Sequence, residues 1–290
     1  MSKSKTACVL LSKKGFPGMT KSWTEFVRDR ITHVEKNTPW WVNNKVTLGR
    51  FCADNDLPSP TVFKVWTDPS EIDFTGLPER FVLKPNIMSS SSGVMVLARQ
   101  EDGTYYESLS KQTLTMDEII VEQNRCLDKA TYKKSFRVFA EEIVVDARNP
   151  QLVPADYKVY CFYDKPILVQ QIDRNINPTG TAFFDGEFQP LDLAGKIESE
   201  WKHYQLIEPI LPGTAQSMLS LASEVTKLIR TPFMRIDLYN STRGALIGEL
   251  TPAPGGPYHG KLYKFTEEYD VKLGGEWEDA LHRIAAAPKQ

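Results

Sequence analysis

Two short segments around residue 240 constrain the fold of this chain more than any other feature. Phe233–Tyr239 and Ala245–Thr251 each alternate apolar and polar residues with a period of two, as half-buried β-strands do. Turn-forming residues occupy positions 240–244 between them. The pattern therefore predicts a β-hairpin with one apolar face and one polar face.

Three charged side chains are expected on the polar face of this hairpin. With the centre of the turn near Thr242, Arg235 should lie opposite Glu249 and Asp237 opposite Ile247. Two carboxylates and a guanidinium are costly on an otherwise apolar hairpin unless something neutralises them. A magnesium ion that carries phosphate groups does so. An ordinary Arg–Glu salt bridge with Asp237 in solvent is the open alternative.

Composition describes an ordinary globular protein. The 290 residues have a net charge of −2 and no Lys/Arg block, so we expect no nucleic-acid partner. The four cysteines show no CxxC pair or metal-ligand spacing, and the apolar run 7–11 is too short for a secretory signal or a membrane span. We therefore expect a cytoplasmic protein with reduced thiols and no membrane insertion. A homodimer stays open, because the sequence does not determine the oligomeric state.

Apolar positions at helical spacing predict several helices. These are Trp23–His33, a helix that starts at Lys45 and ends before Pro58, Met116–Leu127, Ala215–Arg230 capped by Thr214, and a short surface helix at Glu276–Ala287. Residues 176–212 are expected to be rich in loops. Lys45 is unusual at a helix start, where the dipole disfavours cations. A lysine in that place often points at an anion, with simple solvent exposure as the alternative.

A loop of small residues joins two predicted strands of the first half of the chain. Phe81–Pro85 and Val94–Ala98 read as strands, and the loop at 86–93 contains four serines and a glycine. Such a loop can fold its backbone N–H groups over an anion, and Lys84 projects just before it. A flexible hairpin turn without a ligand is the alternative.

Further strands carry polar residues at their ends. Phe136–Ala140 runs into Glu141 and Glu142, which are either a solvated exit or a hinge that reads a base. Asp156–Phe162 and Pro166–Ile172 predict a second hairpin.

Taken in order, these pieces resemble an ATP-grasp enzyme of the TupA-like (teichuronopeptide-biosynthesis-type) branch, over residues 44 to 277. The motifs that carry the resemblance are Asn44-Lys45, Phe81–Asn86, the Ser/Gly loop, Ala140–Glu142, Asp156–Phe162, Arg235–Asp237, Gly248–Thr251 and Pro254–Gly256. The resemblance implies an α+β ATP-grasp fold, in which two α+β lobes clasp a nucleotide after a mostly helical N-terminal segment. It implies an N-terminal segment at 1–78, a small lobe at 79–144 and a large lobe with the metal-binding hairpin at 145–290.

The resemblance also implies roles for individual residues, with ATP and Mg²⁺ as cofactors. The residues expected to contact the nucleotide are Lys45 and Lys84 at the phosphates, the closing loop Ser89, Ser90, Ser91, Ser92 and Gly93, the adenine hinge Glu141, Glu142 and Val144, and Asp156 at the ribose. Asp237 and Glu249 are the implied magnesium ligands. The implied catalytic residues are Lys158 at the phosphates and Arg235 beside the transferred phosphoryl group. Arg174, with residues 255–258, is a further catalytic candidate for the acyl substrate, because the fork of an arginine suits a carboxylate.

The implied activity is that of a carboxylate–amine ligase that works through an acyl phosphate. Its substrates would be a carboxylate and an amine on a small molecule, a peptide or a polysaccharide precursor. An ATP-grasp phosphotransferase and a degenerate nucleotide-binding module without turnover are the alternatives. The chain departs from the pattern of many ATP-grasp enzymes at Thr251, where an Asn is common, and at Ile87-Met88 beside the serine loop.

Overall fold

The structure is a computed structural model that describes residues 21–88, 92–255 and 262–288. The α-helices in these ranges, α1 to α5 in chain order, are Trp23–Ile31, Lys45–Asp54, Met116–Lys129, Ala215–Ile229 and Glu267–Ala286. Short 3₁₀ turns lie at Trp40–Asn43, Pro69–Glu71 and Lys133–Ser135. Each helix in the described ranges is too short or too polar to cross a lipid bilayer.

The first sheet is antiparallel and belongs to the first half of the chain. Its strands are β1 Val62–Trp66, β2 Arg80–Pro85, β3 Met95–Arg99, β4 Tyr105–Glu107, β5 Gln112–Leu114 and β6 Val138–Glu141. They lie in the order β1-β6-β2-β3-β4-β5. Helix α3, whose start is fixed by a capping box between Thr115 and Glu118, packs Ile119 into the same core as Phe81. β1 lies within the predicted segment 1–78, yet it pairs with β6, so this sheet begins before residue 79.

The second sheet carries the predicted hairpins. Its strands are β7 Asp156–Phe162, β8 Lys165–Asp173, β9 Thr179–Asp185, β11 Tyr204–Leu206, β12 Met234–Ser241 and β13 Gly244–Thr251, while β10 Ile197–Glu198 and β14 Lys264–Phe265 form a separate pair. The order is β11-β9-β8-β7-β12-β13, and only β11 runs parallel to its neighbour. Both predicted hairpins are confirmed as β7–β8 and β12–β13.

The two faces of the second sheet bury different residues. On one face, Tyr157, Val159 and Ile236 pack against α4 and α2 in an apolar core. On the other face, α1 and α5 cover one end of the sheet with an aromatic cluster that includes Trp23 and Trp277. The remainder of that second face carries the charged residues of β7, β12 and β13.

Helix α5 is longer and more deeply buried than the sequence predicts. It begins at Glu267 after the N-cap Thr266 and buries Leu273 and Trp277, so the prediction of a short surface helix at Glu276–Ala287 was wrong. The cause is an apolar stripe at helical spacing that extends upstream of residue 276. A Cβ on Gly274 would lie 1.8 Å from the backbone oxygen of Lys21, so glycine permits the helix to touch the N-terminal segment.

Residues 176–212 are rich in loops, as predicted, but they also contain three strands that the sequence did not predict, β9, β10 and β11. β9 is an interior strand between β8 and β11, and it buries Ala182, Phe183 and Phe184. The turn-forming residues on both sides of this short apolar run obscured it. Thr214 does not cap α4 with its side chain, since its hydroxyl donates to Asn240 Oδ1 at 2.9 Å instead.

Arg30 of α1 is fully buried and holds the open end of the β12–β13 hairpin. Its guanidinium donates to the carbonyl oxygens of Phe233 at 2.9 Å and Pro252 at 2.8 Å, which flank the two strands. It also donates to Thr231 Oγ1 at 3.0 Å and to Glu35 at 2.9 Å. Helix α1 therefore fixes the hairpin through hydrogen bonds as well as apolar contact, which the sequence did not predict.

Candidate active site

The β12–β13 hairpin has a register that differs from the predicted one. Asp237 lies opposite Glu249, and Arg235 lies opposite Thr251, so the predicted pairings of Arg235 with Glu249 and Asp237 with Ile247 were wrong. The cause is a β-bulge at Gly248, which shifts the pairing between Asp237 and Leu238. The two carboxylates consequently face each other directly across neighbouring strands.

Gly248 is required at this bulge by the ring of Tyr239. A Cβ at position 248 would lie 2.4 Å from Tyr239 Cε2, closer than side-chain carbons approach one another. The ring therefore covers the bulge and fixes the shifted register. This contact links a residue of β12 to the position of Glu249.

Asp237 is buried and is held by two cations. Arg235 donates from Nε to Oδ1 at 2.7 Å and from Nη2 to Oδ2 at 2.8 Å, and Lys158 Nζ also donates to Oδ2. Arg235 Nη2 contacts Thr251 Oγ1 at 3.0 Å as well. The alternative of a cross-strand Arg–Glu salt bridge with Asp237 in solvent is therefore wrong.

Glu249 is in the opposite situation. It is half-buried, and its carboxylate accepts no hydrogen bond from any residue that the structure describes. Its negative charge nonetheless acts on Lys45 and on Arg235. One carboxylate of the facing pair is thus occupied, and the other is available.

Lys158 bridges the two buried carboxylates of this face. Its Nζ donates to Asp156 Oδ2 at 2.8 Å as well as to Asp237. Burial alone would lower the pKa of Lys158, but the charges of Asp156 and Asp237 hold it above its ordinary value. Lys158 therefore stays protonated here and shares its single positive charge between both carboxylates.

Asp156 has one oxygen that is satisfied and one that is not. Burial would raise the pKa of its carboxyl, but Lys158 and then Arg174, whose Nη2 lies 3.0 Å from Oδ2, hold that pKa below its ordinary value. Oδ1 is buried and has no hydrogen-bond partner among the described residues. An ionised carboxylate oxygen in this state fits a ligand that supplies a hydroxyl donor.

Strand β2 and helix α2 bring two lysines, Lys84 and Lys45, close to each other. Lys84 Nζ lies 2.5 Å from Glu141 Oε1, and Lys45 Nζ donates to the carbonyl oxygen of Met88 at 3.0 Å. Burial lowers the pKa of Lys45, an effect that Glu249 and Glu141 partly offset and that Lys84 reinforces. The charges of both Glu249 and Lys84 act on Lys45. The two lysines predicted to contact phosphates and the β12–β13 hairpin therefore face a common space.

Lys45 reaches this position because of the way α2 begins. The side chain of Asn44 caps the helix by accepting from the backbone N–H groups of Val46 and Thr47. The backbone N–H of Lys45 donates to the carbonyl oxygen of Asn86 at 3.1 Å, beside the end of β2. The alternative that Lys45 simply extends into solvent was wrong.

The serine loop is partly outside the described residues, which include Ser92 and Gly93 but not Ser89, Ser90 or Ser91. Gly93 has φ +72°, and a Cβ there would lie 2.7 Å from Cys126 Sγ. Its carbonyl oxygen accepts from Gln123 Nε2 at 2.8 Å. Helix α3 therefore anchors the end of the loop through two residues that the sequence did not single out.

The two glutamates of the predicted hinge after β6 are paired with groups on other segments of the protein. Glu142 accepts from the backbone N–H of Thr61 at 3.1 Å and forms an ion pair with Arg243 in the hairpin turn. Glu141 is paired with Lys84, as described above. Val144 is half-buried in the segment that leads from the first sheet to the second. Arg243, which the sequence did not identify, joins the hinge to the hairpin.

A cavity of about 110 Å³ lies beside Lys158 and Arg235. Its other polar lining residues were not predicted as site residues, and they are Tyr160, Gln170, Tyr204, Tyr263 and Lys264. Arg174 is not among the described residues that line it, because it contacts Asp156 two positions away along β7 from Lys158. Of the predicted acyl-substrate loop 255–258, Gly255 lines this cavity and the other residues lie outside the described ranges.

The donor set suits magnesium that arrives with phosphates. Asp237 and Glu249 face each other, and no group of three or more His, Cys, Asp or Glu side chains within the described ranges forms a metal cage. Mg²⁺ typically takes one or two protein carboxylates and completes its shell with phosphate oxygens and water. Two facing carboxylates, one of them uncommitted, fit that requirement.

Comparison with known proteins identifies one family. A family model described as TupA-like ATPgrasp matches residues 26–278. A search of the curated proteins finds no match to the chain.

Solved structures of ATP-grasp ligases resemble the chain at low sequence identity. The ATP-grasp ligase PsnB complexed with minimal precursor, Mg and ADP is 13% identical, with 86% of this chain and 61% of that chain covered and a TM-score of 0.46. The D-alanine–D-alanine ligase from Bacillus anthracis complexed with ATP is 14% identical, with 85% and 68% covered and a TM-score of 0.47. The chain spans about 60% of the length of PsnB.

Proposed function

Because the chain belongs to the TupA-like ATP-grasp family, we propose that it is an ATP-dependent ligase that joins a carboxylate to an amine. The observation that supports this most directly is the facing pair Asp237 and Glu249 beside Lys158 and Arg235. Carboxylates for a cation and fixed cations for phosphates are what phosphoryl transfer needs from a protein.

The proposal gives each part of the nucleotide to residues on β7 and in the neighbouring segments. The unsatisfied Oδ1 of Asp156 would accept from a ribose hydroxyl, and the hinge Glu141–Val144 would hold the adenine. Lys45, Lys84 and Lys158 contact the phosphates, with Ser92 and Gly93 at the end of the loop that covers them. Lys84 pairs with Glu141 and Lys45 donates to the Met88 carbonyl, so each ammonium group would exchange that contact for a phosphate oxygen.

Asp237 and Glu249 would hold magnesium, which supplies positive charge against the phosphate oxygens. The residues of the chain then orient the reactants. Arg235 faces the transferred phosphoryl group, because it lies at the end of the row of cations next to the cavity. Arg235 Nη2 donates to Thr251 Oγ1 at 3.0 Å, so in this chain the threonine at the position of the common Asn supports the arginine.

The reaction follows in two steps. A substrate carboxylate oxygen attacks the γ-phosphorus of ATP, and the bond from that phosphorus to the β,γ-bridging oxygen breaks. The products of this first step are an acyl phosphate and ADP. An amine nitrogen attacks the acyl carbon, the C–O bond to phosphate breaks, and solvent takes the proton that nitrogen loses. The products are an amide, ADP and phosphate, and no protein nucleophile is needed.

Thermal unfolding with and without Mg-ATP tests the nucleotide site. Ligand at a hundred times its Kd stabilises a protein by about 2.7 kcal/mol, which raises Tm by several degrees. We expect a magnesium-dependent rise in the wild type, its loss in Glu249→Ala, and its retention in Glu224→Ala, a control at an exposed position of α4. No rise in the wild type at any ATP concentration would refute the proposal.

Turnover distinguishes the ligase from the other activities of such a site. Phosphate release is measured with pairs drawn from amino acids, N-acetyl amino acids and short peptides as carboxylates, and ammonia, amino acids and hydroxylamine as amines. A ligase releases phosphate only when both partners are present. A phosphotransferase leaves a stable phosphorylated product and no free phosphate, and a binding module gives neither.

A further inference from the structure

The cavity beside Arg235 ends on a buried chain of hydrogen bonds between side chains. Tyr160 and Tyr263 hydroxyls lie 2.8 Å apart, and the Tyr263 hydroxyl lies 3.1 Å from Gln170 Oε1. Gln170 Nε2 lies 3.2 Å from Thr181 Oγ1, which in turn lies 2.9 Å from the carbonyl oxygen of Gln171. Tyr160, Tyr263 and Gln170 all line the cavity.

The direction of every hydrogen bond in this chain follows from its last member. A carbonyl oxygen only accepts, so the Thr181 hydroxyl donates its one hydrogen to the carbonyl oxygen of Gln171. The Thr181 oxygen must therefore accept from the amide N–H of Gln170. That orientation turns Gln170 Oε1 toward Tyr263, which therefore donates to it. Tyr160 must then donate to Tyr263, because the hydrogen of Tyr263 is already used.

The consequence is that Tyr160 presents only lone pairs to the cavity. Its single hydrogen points at Tyr263, and its oxygen accepts no hydrogen bond from the described residues. The cavity is also lined by the cations Lys158, Arg235 and Lys264, which are donors only, and Arg235 is the direct cross-strand neighbour of Tyr160. The cavity therefore offers two kinds of group, cations that suit an anion and, at Tyr160, an oxygen that suits an N–H donor.

We propose that this cavity takes the amine substrate and that the Tyr160 oxygen accepts a hydrogen bond from it, held in that role by Tyr263, Gln170 and Thr181. This inference rests on the proposed ligase function and adds which atom of the site contacts the nucleophile. The volume of about 110 Å³ accommodates an amino group and the few atoms next to it. The aromatic lining from Tyr204, Tyr263 and Phe265 suits an ammonium group as well.

Tyr160 orients the amine and does not deprotonate it. Burial raises the pKa of Tyr160 and, with the neighbouring tyrosine, raises that of Tyr263 well above its ordinary value. Both side chains remain phenols at neutral pH. Removing the hydroxyl should consequently weaken amine binding without changing the protonation chemistry of the site.

Tyr160→Phe and Tyr157→Phe form a matched pair for the test. Both are buried tyrosines of β7, and each substitution deletes one hydroxyl that is hydrogen-bonded, in Tyr157 to the carbonyl oxygen of Ile210 at 2.8 Å. Tyr157 lies on the opposite face of the sheet, in the core against α4. The pair therefore separates loss of the cavity acceptor from loss of a buried hydrogen bond.

The probes are methylamine and acetate, which are similar in size. Binding of each probe to the protein is followed by NMR titration through its methyl protons, in the presence of Mg-ADP. We expect methylamine to bind the wild type and Tyr157→Phe equally and Tyr160→Phe about tenfold more weakly, with acetate binding unchanged. With any active carboxylate–amine pair, the KM for the amine should rise about tenfold in Tyr160→Phe, and the KM for the carboxylate should stay the same.

Three outcomes would overturn the assignment: no methylamine binding to the wild type, equal methylamine binding to Tyr160→Phe, or a loss confined to acetate. Mg-ATP protection against unfolding is measured on the same samples. Its absence in the wild type refutes the nucleotide site, whereas its presence together with any of these three outcomes refutes only the role of Tyr160.

Discussion

Replacing Lys158 with methionine removes the ammonium group that bridges Asp156 and Asp237. The side chain of Lys158 is 13% exposed, that of Asp156 5% and that of Asp237 4%. The substitution would therefore remove a cation from two buried carboxylates. Methionine keeps most of the aliphatic length, which limits the loss of packing. The variant therefore reports mainly on charge.

Breaking a buried ion pair by removing one partner costs about 3–5 kcal/mol. Arg235 still pairs with Asp237, and Arg174 still pairs with Asp156, so we expect the lower end of that range. A loss of about 3 kcal/mol lowers Tm by roughly 6–12 °C in a chain of this size. Lys165→Met is the control, because Lys165 pairs with Glu276 at the surface and such pairs contribute at most about 1 kcal/mol.

The pH dependence of this loss has a defined sign. The pKa of Asp156 is lowered in the folded protein, so its pairing stabilises above the unfolded pKa and is lost as pH falls through the folded one. The pKa of Lys158 is raised, so its pairing stabilises below the unfolded pKa and is lost as pH rises through the folded one. The difference between wild type and variant should thus be full only between about pH 4 and pH 10.

Thermal unfolding of the ligand-free proteins across pH checks this prediction. We expect Lys158→Met to lose several times more stability than Lys165→Met at pH 7, and the gap to narrow on acidification as the carboxylates become protonated. Equal losses in the two variants, or a gap that stays constant into strong acid, would show that Lys158 does not neutralise a buried carboxylate pair.

Three further substitutions test contacts that position the site, each by thermal or denaturant unfolding. Gly274→Ala should destabilise the folded protein by about 1–3 kcal/mol because its Cβ meets a backbone oxygen. Gly275→Ala, whose Cβ meets open space, should stabilise it by about 0.5–1 kcal/mol. Equal effects of the two substitutions would contradict the close approach at Gly274. Arg30→Met should cost about 3–5 kcal/mol, and Arg30→Lys should recover less than half of it because one ammonium cannot span both carbonyl groups; full recovery would show that charge alone suffices. Gly93→Ala should cost at least about 1–2 kcal/mol from its positive φ, and a second change, Cys126→Ala, should restore only the part due to contact with Sγ.

Local patterns in the sequence predicted the strands that carry the site but not their relative register. Period-two alternation is enough to place Arg235, Asp237 and Glu249 on one face of a hairpin. The pairing depends on one extra residue at Gly248, and that bulge is favoured by the Tyr239 ring, which no spacing rule detects. A shift of this kind decides which residues are opposite each other, so Glu249 was placed beside the wrong partner.

Residues that act through distant partners were beyond the reach of the sequence. Tyr160 and Tyr263 are separated by 103 positions, and Arg30 lies 203 positions before Phe233. Their roles come from burial and from donor and acceptor counts, which exist only once the chain is folded. Arg174 shows the converse, because its residue type suggested an acyl carboxylate while the fold places it on Asp156.

The order of residues along β7 and β12 arranges the groups of the candidate site in three successive levels. Asp156 and Tyr239 pair at one level, Lys158 and Asp237 at the next, and Tyr160 and Arg235 at the third. Alternate residues of a strand are about 6.6 Å apart, so the three levels extend over roughly 13 Å on a single face. A nucleotide whose ribose is held at the first level and whose phosphates lie at the second must direct its reactive end toward the third. The aromatic cluster begins beyond that level, and the cavity beside Arg235 adjoins it. In the proposed reaction, the carboxylate and the amine would therefore meet the phosphoryl group in this cavity.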